Sequence, residues 1–167
     1  HNMKGEETSS PQKQMSLILF SGDLDKAMAA FTIACAAAGR GAEVSVFFTF
    51  WGLTLLRRSR GEGHSLLEKL FKLLLPVGPE KVGLSKMNFL GVGGRLMCRL
   101  IRQRGAQQLQ ELISMAMERK VKFIVCQASM KILGLTRQEL LDYQYLVEGT
   151  ADDFLQKAEG SQINLFI

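Results

Sequence analysis

Cys126 occupies the position in this sequence that is best suited to chemistry. It follows a short apolar run, residues 121–125, whose β-branched and aromatic residues are typical of a strand buried on both faces. The residues after it have the composition of a short helix that ends at Gly134, with Gln127 or Ser129 available as the N-cap. The pattern therefore places the thiol between the carboxyl end of a strand and the amino end of a helix.

A thiol in that position has the surroundings of a nucleophile. Ligands of open α/β sheets bind at the carboxyl edge, and the amides at the start of a helix favour an anion. A thiolate would be stabilised there relative to the thiol, which makes the sulfur reactive near neutral pH. The alternative is that Cys126 is only a small buried hydrophobe, as cysteines at the ends of core strands often are.

The rest of the sequence predicts a parallel sheet around this strand. Helical patterns at 24–38 and 106–118 separate strand-like segments, and a strand, helix and strand in series predict a right-handed crossover. We therefore predict an α/β fold with an open parallel sheet of four or five strands and helices on both faces. The strand-like segments are residues 15–20, 43–50, 121–125, 143–147 and 162–167.

Two further strand ends are expected at the same edge as Cys126. The first strand ends near Gly22, and the second ends at Thr49, Phe50 and Trp51. The aromatic side chains either wall a pocket at this edge or pack into the core. The sequence leaves both interpretations open.

Residues 53–94 interrupt the alternation of strands and helices. We predict a short basic helix near 53–60, a glycine-rich loop around His64, and an amphipathic helix at 66–75 that ends at Pro76. The amphipathic helix either packs on its own domain, forms a subunit interface or binds a lipid surface.

The end of this excursion resembles an anion cradle. Gly91, Gly93 and Gly94 lead into a helix that carries Arg95 and further arginines. The run does not match a dinucleotide-binding fingerprint, because the third glycine of that motif would fall at Leu96. Anion binding by these residues is a hypothesis separate from the thiol.

Length and composition predict one globular domain. The chain has 167 residues, of which 47% are hydrophobic and 22% charged. Its longest nearly apolar segment, 27–38, is too short to span a membrane, and the first residues lack the apolar part of a secretory signal. We expect a cytoplasmic protein with a flexible tail at 1–14, in which His1 and Asn2 precede a natural start at Met3, and a single domain at 15–167.

The composition gives little support for a metal, another cofactor or a nucleic-acid partner. The three cysteines form no CxxC pair and His64 is the only histidine after residue 1, so we expect neither a disulfide scaffold nor a zinc site. The net charge of +5 is compatible with an acidic partner or an anionic ligand, and a solvated basic surface explains it equally well. No nucleic-acid-binding motif accompanies the charge.

Four segments together resemble the DsrE/DsrF-like family. They are SGDLDK at 21–26, FFTFWGL at 47–53, LSKMN at 84–88, and VKF with CQASM within 121–130. The branch they resemble often occurs beside rhodanese, sulfur-carrier and coenzyme A-disulfide reductase proteins. The resemblance implies a flavodoxin-like α/β fold, homo-oligomers that are often trimers or hexamers, and a role in handling sulfane sulfur.

The resemblance also implies a role for Cys126. The C-x-M-S-M segment of the family maps onto Cys126, Ser129 and Met130, and it carries the persulfide-bearing cysteine onto Cys126. Ala128 departs from the usual methionine, which opens space near the sulfur but leaves the thiol.

The leading hypothesis is a cytoplasmic sulfur-relay protein that holds a persulfide on Cys126 and passes it to an acceptor thiol. Donor and acceptor are proteins or low-molecular-weight thiols, and the step needs no metal. The alternatives are a non-covalent binding module for an anionic nucleotide or coenzyme A derivative, and an oligomeric partner protein without catalysis. The expected supporting residues are Ser129 and, as second contacts, Thr49 and Asn88, with Gly22 beside the pocket and an apolar wall of Phe50, Trp51 and Met130.

Overall fold

The computed structural model describes residues 12–58 and 92–167, and of residues 92–102 it describes the backbone only. The predicted helix at 66–75, the loop at His64, Asn88 and Gly91 lie outside these residues. The elements are β1 (Gln14–Leu19), α1 (Leu24–Gly39), β2 (Glu43–Phe48), a 3₁₀ helix (Phe50–Leu56), α2 (Val92–Glu118), β3 (Lys122–Cys126), α3 (Gln127–Leu133), a second 3₁₀ helix (Arg137–Glu139), β4 (Leu146–Gly149), α4 (Ala151–Glu159) and β5 (Ile163–Phe166).

The strands form one five-stranded sheet in the order β4-β3-β2-β1-β5, and every pair in it is parallel. The predicted open parallel α/β sheet is therefore confirmed. The order places β3, which carries Cys126, between β2 and β4. Flavodoxin itself has the order 2-1-3-4-5, and a sequence pattern alone cannot distinguish the two windings.

Helices cover both faces of the sheet, but unequally. The main hydrophobic core contains side chains of α1, α2 and α3 together with alternate strand residues such as Phe48 and Phe123. The opposite face carries a smaller cluster, in which Phe154 of α4 packs with Phe47 of β2 and with Ile124 and Cys126 of β3. The chain therefore crosses from one face to the other between β3 and β5.

The helix before β3 differs from the prediction. α2 runs without a break from Val92 to Glu118, whereas the pattern predicted two helices, one that carries Arg95 and a second that begins at Ala106. Gly105 lies inside this helix, where α2 packs closely against α1. A Cβ at this position would lie 2.9 Å from Cδ2 of Leu24, the first residue of α1. The glycine therefore allows the two helices to approach closely and does not end the helix.

The predicted basic helix at 53–60 is wrong in its position. A 3₁₀ helix begins at Phe50, with Thr49 between it and β2, and ends at Leu56. Its residues Leu53, Leu55 and Leu56 are buried in the main core. Arg57 follows it and is buried too, with Nη2 lying 3.8 Å from Oε1 of Glu139. The segment is thus part of the core, because burial of its leucines places it against the sheet.

Candidate functional site

Cys126 lies at the point where the sheet sends its connections to opposite faces. It is the last residue of β3 and the N-cap position of α3, which packs into the main core. β4 is the neighbouring strand, and α4, which follows it, packs on the other face. Such divergence at the carboxyl ends of adjacent strands is where open α/β sheets form their ligand crevices.

Two hydroxyl groups meet beside the thiol. The Oγ1 atom of Thr49 lies 2.8 Å from Oγ of Ser129, and both hydroxyl groups act as donors that lower the pKa of Cys126. The backbone amides of Ser129 and Ala128 lower the pKa of the thiol in the same way. α3 supplies these amides because its first turn follows the cysteine directly, and β2 supplies Thr49 because the strand ends one residue before it.

These hydrogen bonds decide the ionisation of Cys126. Burial alone would raise the pKa of the thiol, since it disfavours the charged form. The donors from Ser129, Thr49 and Ala128 stabilise the thiolate and outweigh burial, so the pKa of Cys126 is lowered from its ordinary value. The sequence predicted a thiolate from the position of Cys126 at a helix start, and the structure names the donors that would stabilise it.

The other side of the sulfur is apolar. Cys126 packs in the smaller cluster with Phe47, Ile124 and Phe154, and the rings of Phe47 and Phe154 lie 5.1 Å apart. The residue is only 8% exposed, so the thiol is nearly buried. Across the sheet Cys126 is in register with Gly149, where a Cβ would lie 2.7 Å from Cγ2 of Ile124.

Sequence reasoning did not identify Phe47, Phe154 or Gly149 as parts of this site. The signals were present, since Phe47 alternates with the core residue Phe48, and Thr150 with Asp153 forms a capping box that starts α4. What the sequence lacked was the strand order that places α4 over β3.

The other predicted site residues are distributed around the same edge. Met130 is buried in the main core, away from the cluster that holds Cys126. Gly22 and Trp51 line a cleft beside β1 whose lining does not include Cys126, and the ring of Phe50 lies 5.3 Å from that of Phe20.

The hypothetical anion cradle lies at the start of α2. Gly93, Gly94 and Arg95 belong to its first turn, while Gly91 and the possible second contact Asn88 fall outside the described residues. Anion binding there stays a prediction.

Cys35 provides an internal comparison for Cys126. It lies on α1 in the main core, and burial raises the pKa of its thiol even though Arg119 lowers it in part. Its sulfur lies 3.4 Å from the carbonyl oxygen of Leu112, to which it donates. The structure therefore distinguishes a core cysteine from a stabilised one.

Fold and site together define an α/β protein with a stabilised single thiol at the carboxyl edge of a parallel sheet. Comparison with known families leads further: residues 11–166 match the sequence model of the DsrE/DsrF/DrsH-like family. The chain belongs to this family.

Two relatives cover nearly the whole chain. An uncharacterised protein, YrkE, of Bacillus subtilis is 43% identical over 157 residues, which are 93% of this chain and 97% of that protein. The sulfur carrier protein DsrE2 of Allochromatium vinosum is 31% identical over 160 residues, which are 93% of this chain and 99% of that protein.

A solved structure shares the fold. The YchN protein of E. coli superimposes with a TM-score of 0.52 at 12% sequence identity, over 93% of this chain and 99% of YchN. Among the helices in the described part of the chain, none has the length and apolar composition needed to cross a bilayer.

Proposed function

We propose that this protein is a sulfur carrier that holds sulfane sulfur as a persulfide on Cys126. The observation that carries the proposal is the hydrogen-bonded thiol at the carboxyl end of β3, where the donors of Ser129, Thr49 and Ala128 outweigh burial. The relative from Allochromatium vinosum, the sulfur carrier protein DsrE2, supports the same conclusion.

The loading step is a thiol exchange. The Cys126 thiolate attacks the outer sulfur of a donor persulfide, a new S–S bond forms, and the bond between the donor's two sulfur atoms breaks. The donor leaves as a thiolate and takes up a proton from water. No net oxidation or reduction occurs, so the step requires no metal and no electron acceptor.

The surroundings of Cys126 suit both loading and release. The hydroxyl groups and amides that stabilise the thiolate make it a good nucleophile for loading and a good leaving group when an acceptor thiolate attacks the outer sulfur. The rings of Phe47 and Phe154 and the low exposure of the residue limit the access of water to the labile persulfide.

The proposal extends to location and assembly. We propose a cytoplasmic protein that works as a homo-oligomer, with persulfide-bearing proteins or small thiols as donor and acceptor. Large apolar side chains at the surface, including Phe166 at 69% exposure, are compatible with contacts between subunits.

The test is a complete cycle of loading and release. The protein is incubated with inorganic polysulfide, separated from it, and then mixed with an acceptor thiol, while the sulfur on each cysteine is followed by peptide mass spectrometry. We expect Cys126 to gain sulfur and to lose it to the acceptor, and Cys35→Ser to behave like the wild type. Loading that persists unchanged in Cys126→Ser would refute the proposal.

A further inference from the structure

A second feature of the carboxyl edge is a cleft of about 320 Å³ beside β1. Its lining includes the aromatic rings of Phe20 and Trp51 and the ion pair of Asp23 and Lys26. Trp51 is 46% exposed and Phe20 is 38% exposed, so the described part of the chain leaves both rings incompletely covered. Aromatic walls with a few polar groups are typical of sites for small molecules.

The cleft is built into the backbone. The amide of Gly52 donates to the carbonyl oxygen of Phe20 at 3.0 Å. The hydroxyl of Thr54 donates to the carbonyl oxygen of Trp51 at 2.6 Å. A Cβ on Gly22 would lie 2.7 Å from the same Trp51 oxygen, so only glycine permits this approach. The walls are therefore fixed before any ligand arrives.

The residue between β2 and the cleft is strained. Phe50 has a φ of 45°, in the left-handed region, which costs an aromatic residue about 1–2 kcal/mol. Its ring lies 5.3 Å from that of Phe20 and is 38% exposed. Strained backbone of this kind concentrates at functional sites, and here it sets the position of the turn that carries Trp51.

Phe20, in one wall of the cleft, follows a strand two positions across the sheet from the strand that ends at Cys126. Leu19, Phe48 and Val125 are in register across β1, β2 and β3, so Phe20 and Cys126 end a common row two strands apart. With strands about 4.8 Å apart, the two backbones are separated by roughly 10 Å. An extended peptide of about three residues spans that distance.

The charges in the cleft match a zwitterion. Nζ of Lys26 lies 2.8 Å from Oδ2 of Asp23, and both side chains are partly exposed. A ligand carboxylate would pair with Lys26, and a ligand ammonium would pair with Asp23 and with the faces of the aromatic rings. One cation and one anion at the rim therefore favour a ligand that carries both charges.

We propose that this cleft binds the charged end of a small zwitterionic peptide whose cysteine exchanges sulfur with Cys126, an inference that rests on the proposed function. The peptide thiolate attacks the outer sulfur of the Cys126 persulfide and forms a new S–S bond. The bond to the Cys126 sulfur breaks, Cys126 returns to the thiolate, and the peptide leaves with the persulfide. Atoms and electrons balance without a further reagent.

Binding can be tested without sulfur chemistry, because Trp51 is the only tryptophan in the chain. In the Cys126→Ser variant, S-methylglutathione should change the fluorescence of Trp51 with a saturable dependence on concentration. Lys26→Gln should weaken this binding about three- to fivefold, the usual effect of one exposed ion pair. Lys13→Gln, which changes an exposed lysine one residue before β1, should leave the binding unchanged.

Absence of a saturable signal, or equal binding by the Lys26→Gln variant, would overturn the inference and leave the loading of Cys126 untouched. A second arm connects the cleft to transfer. In sulfur-loaded protein, glutathione should remove sulfur faster than the uncharged N-acetylcysteine amide, and Lys26→Gln should reduce that preference by the same three- to fivefold. A preference that survives in this variant would also contradict the inference.

Discussion

The hydroxyl oxygens of Thr49 and Ser129 lie 2.8 Å apart, although the two residues are separated by 80 positions in the sequence. β2 brings one and α3 brings the other to the same thiol. Two hydroxyl groups supply only two protons for the contacts between themselves and with the sulfur. A hydroxyl group that donates to its neighbour orients the neighbour's proton toward the sulfur, so the pair together favours the charged form of Cys126.

Removal of the Ser129 hydroxyl should raise the pKa of Cys126. Ser129→Ala loses a hydrogen bond to a charged group, which contributes about 1.5 kcal/mol, so alkylation below the pKa should slow about tenfold. The measurement is the rate of iodoacetamide reaction at Cys126 as a function of pH. The midpoint should move to higher pH, and the rate at high pH should stay unchanged.

Thr49 and Ser129 should act as a coupled pair. Thr49→Val should shift the profile in the same direction, and the double variant should shift it by less than the sum, because each hydroxyl orients the other. Ser16→Ala is the matched control, since it removes a hydroxyl pair of equal length with Ser161 at the other end of β1. A pH profile insensitive to both Thr49→Val and Ser129→Ala would show that the hydroxyl groups do not stabilise the thiolate.

The two described cysteines should react in a fixed order. Burial raises the pKa of Cys35, whereas hydrogen bonds lower that of Cys126. One equivalent of iodoacetamide near pH 7 should therefore label Cys126 well before Cys35, as peptide mapping would show. In denaturant the difference should vanish. Preferential labelling of Cys35 in the folded protein would contradict the assignment of the two environments.

Gly52 should be essential for the turn after β2. A Cβ at this position would overlap the carbonyl oxygen of Leu19, which is backbone and cannot move aside. We expect Gly52→Ala to lower the free energy of unfolding by about 3 kcal/mol or more in urea titrations. Gly41→Ala is the control: with φ at 82° and open space around it, it should cost only about 1 kcal/mol. Equal losses would contradict the close approach at Gly52.

Tyr143 should make the protein sensitive to alkali. Burial raises the pKa of Tyr143 to about 12, and its hydroxyl donates to the carbonyl oxygen of Val121 at 2.8 Å. The Tyr143 hydroxyl keeps its proton to a higher pH in the folded state than in the unfolded chain. Its contribution to stability is therefore full below about pH 10 and is lost as the pH rises toward 12. Urea titrations across this range should show a shallower loss for Tyr143→Phe, and an identical slope would refute the assignment.

Local signals predicted much of the fold. The strand that ends at Cys126, the helix that begins at Leu24 and the Thr150 capping box all depend on neighbouring residues, and the structure contains each of them. The strand order is a property of the whole sheet, so the contacts of Phe47 and Phe154 with Cys126 were beyond the sequence. Gly105 was likewise ambiguous, because a glycine ends a helix or lets another helix approach.

The most direct test of the central claim is site-resolved mass spectrometry after exposure of the folded protein to less than one equivalent of a persulfide donor. The lowered pKa of Cys126 predicts that the added sulfur appears on the Cys126 peptide, that Ser129→Ala slows its appearance, and that the Cys35 peptide stays unmodified. Sulfur found on other thiols in the mixture while Cys126 stays unmodified would contradict the account.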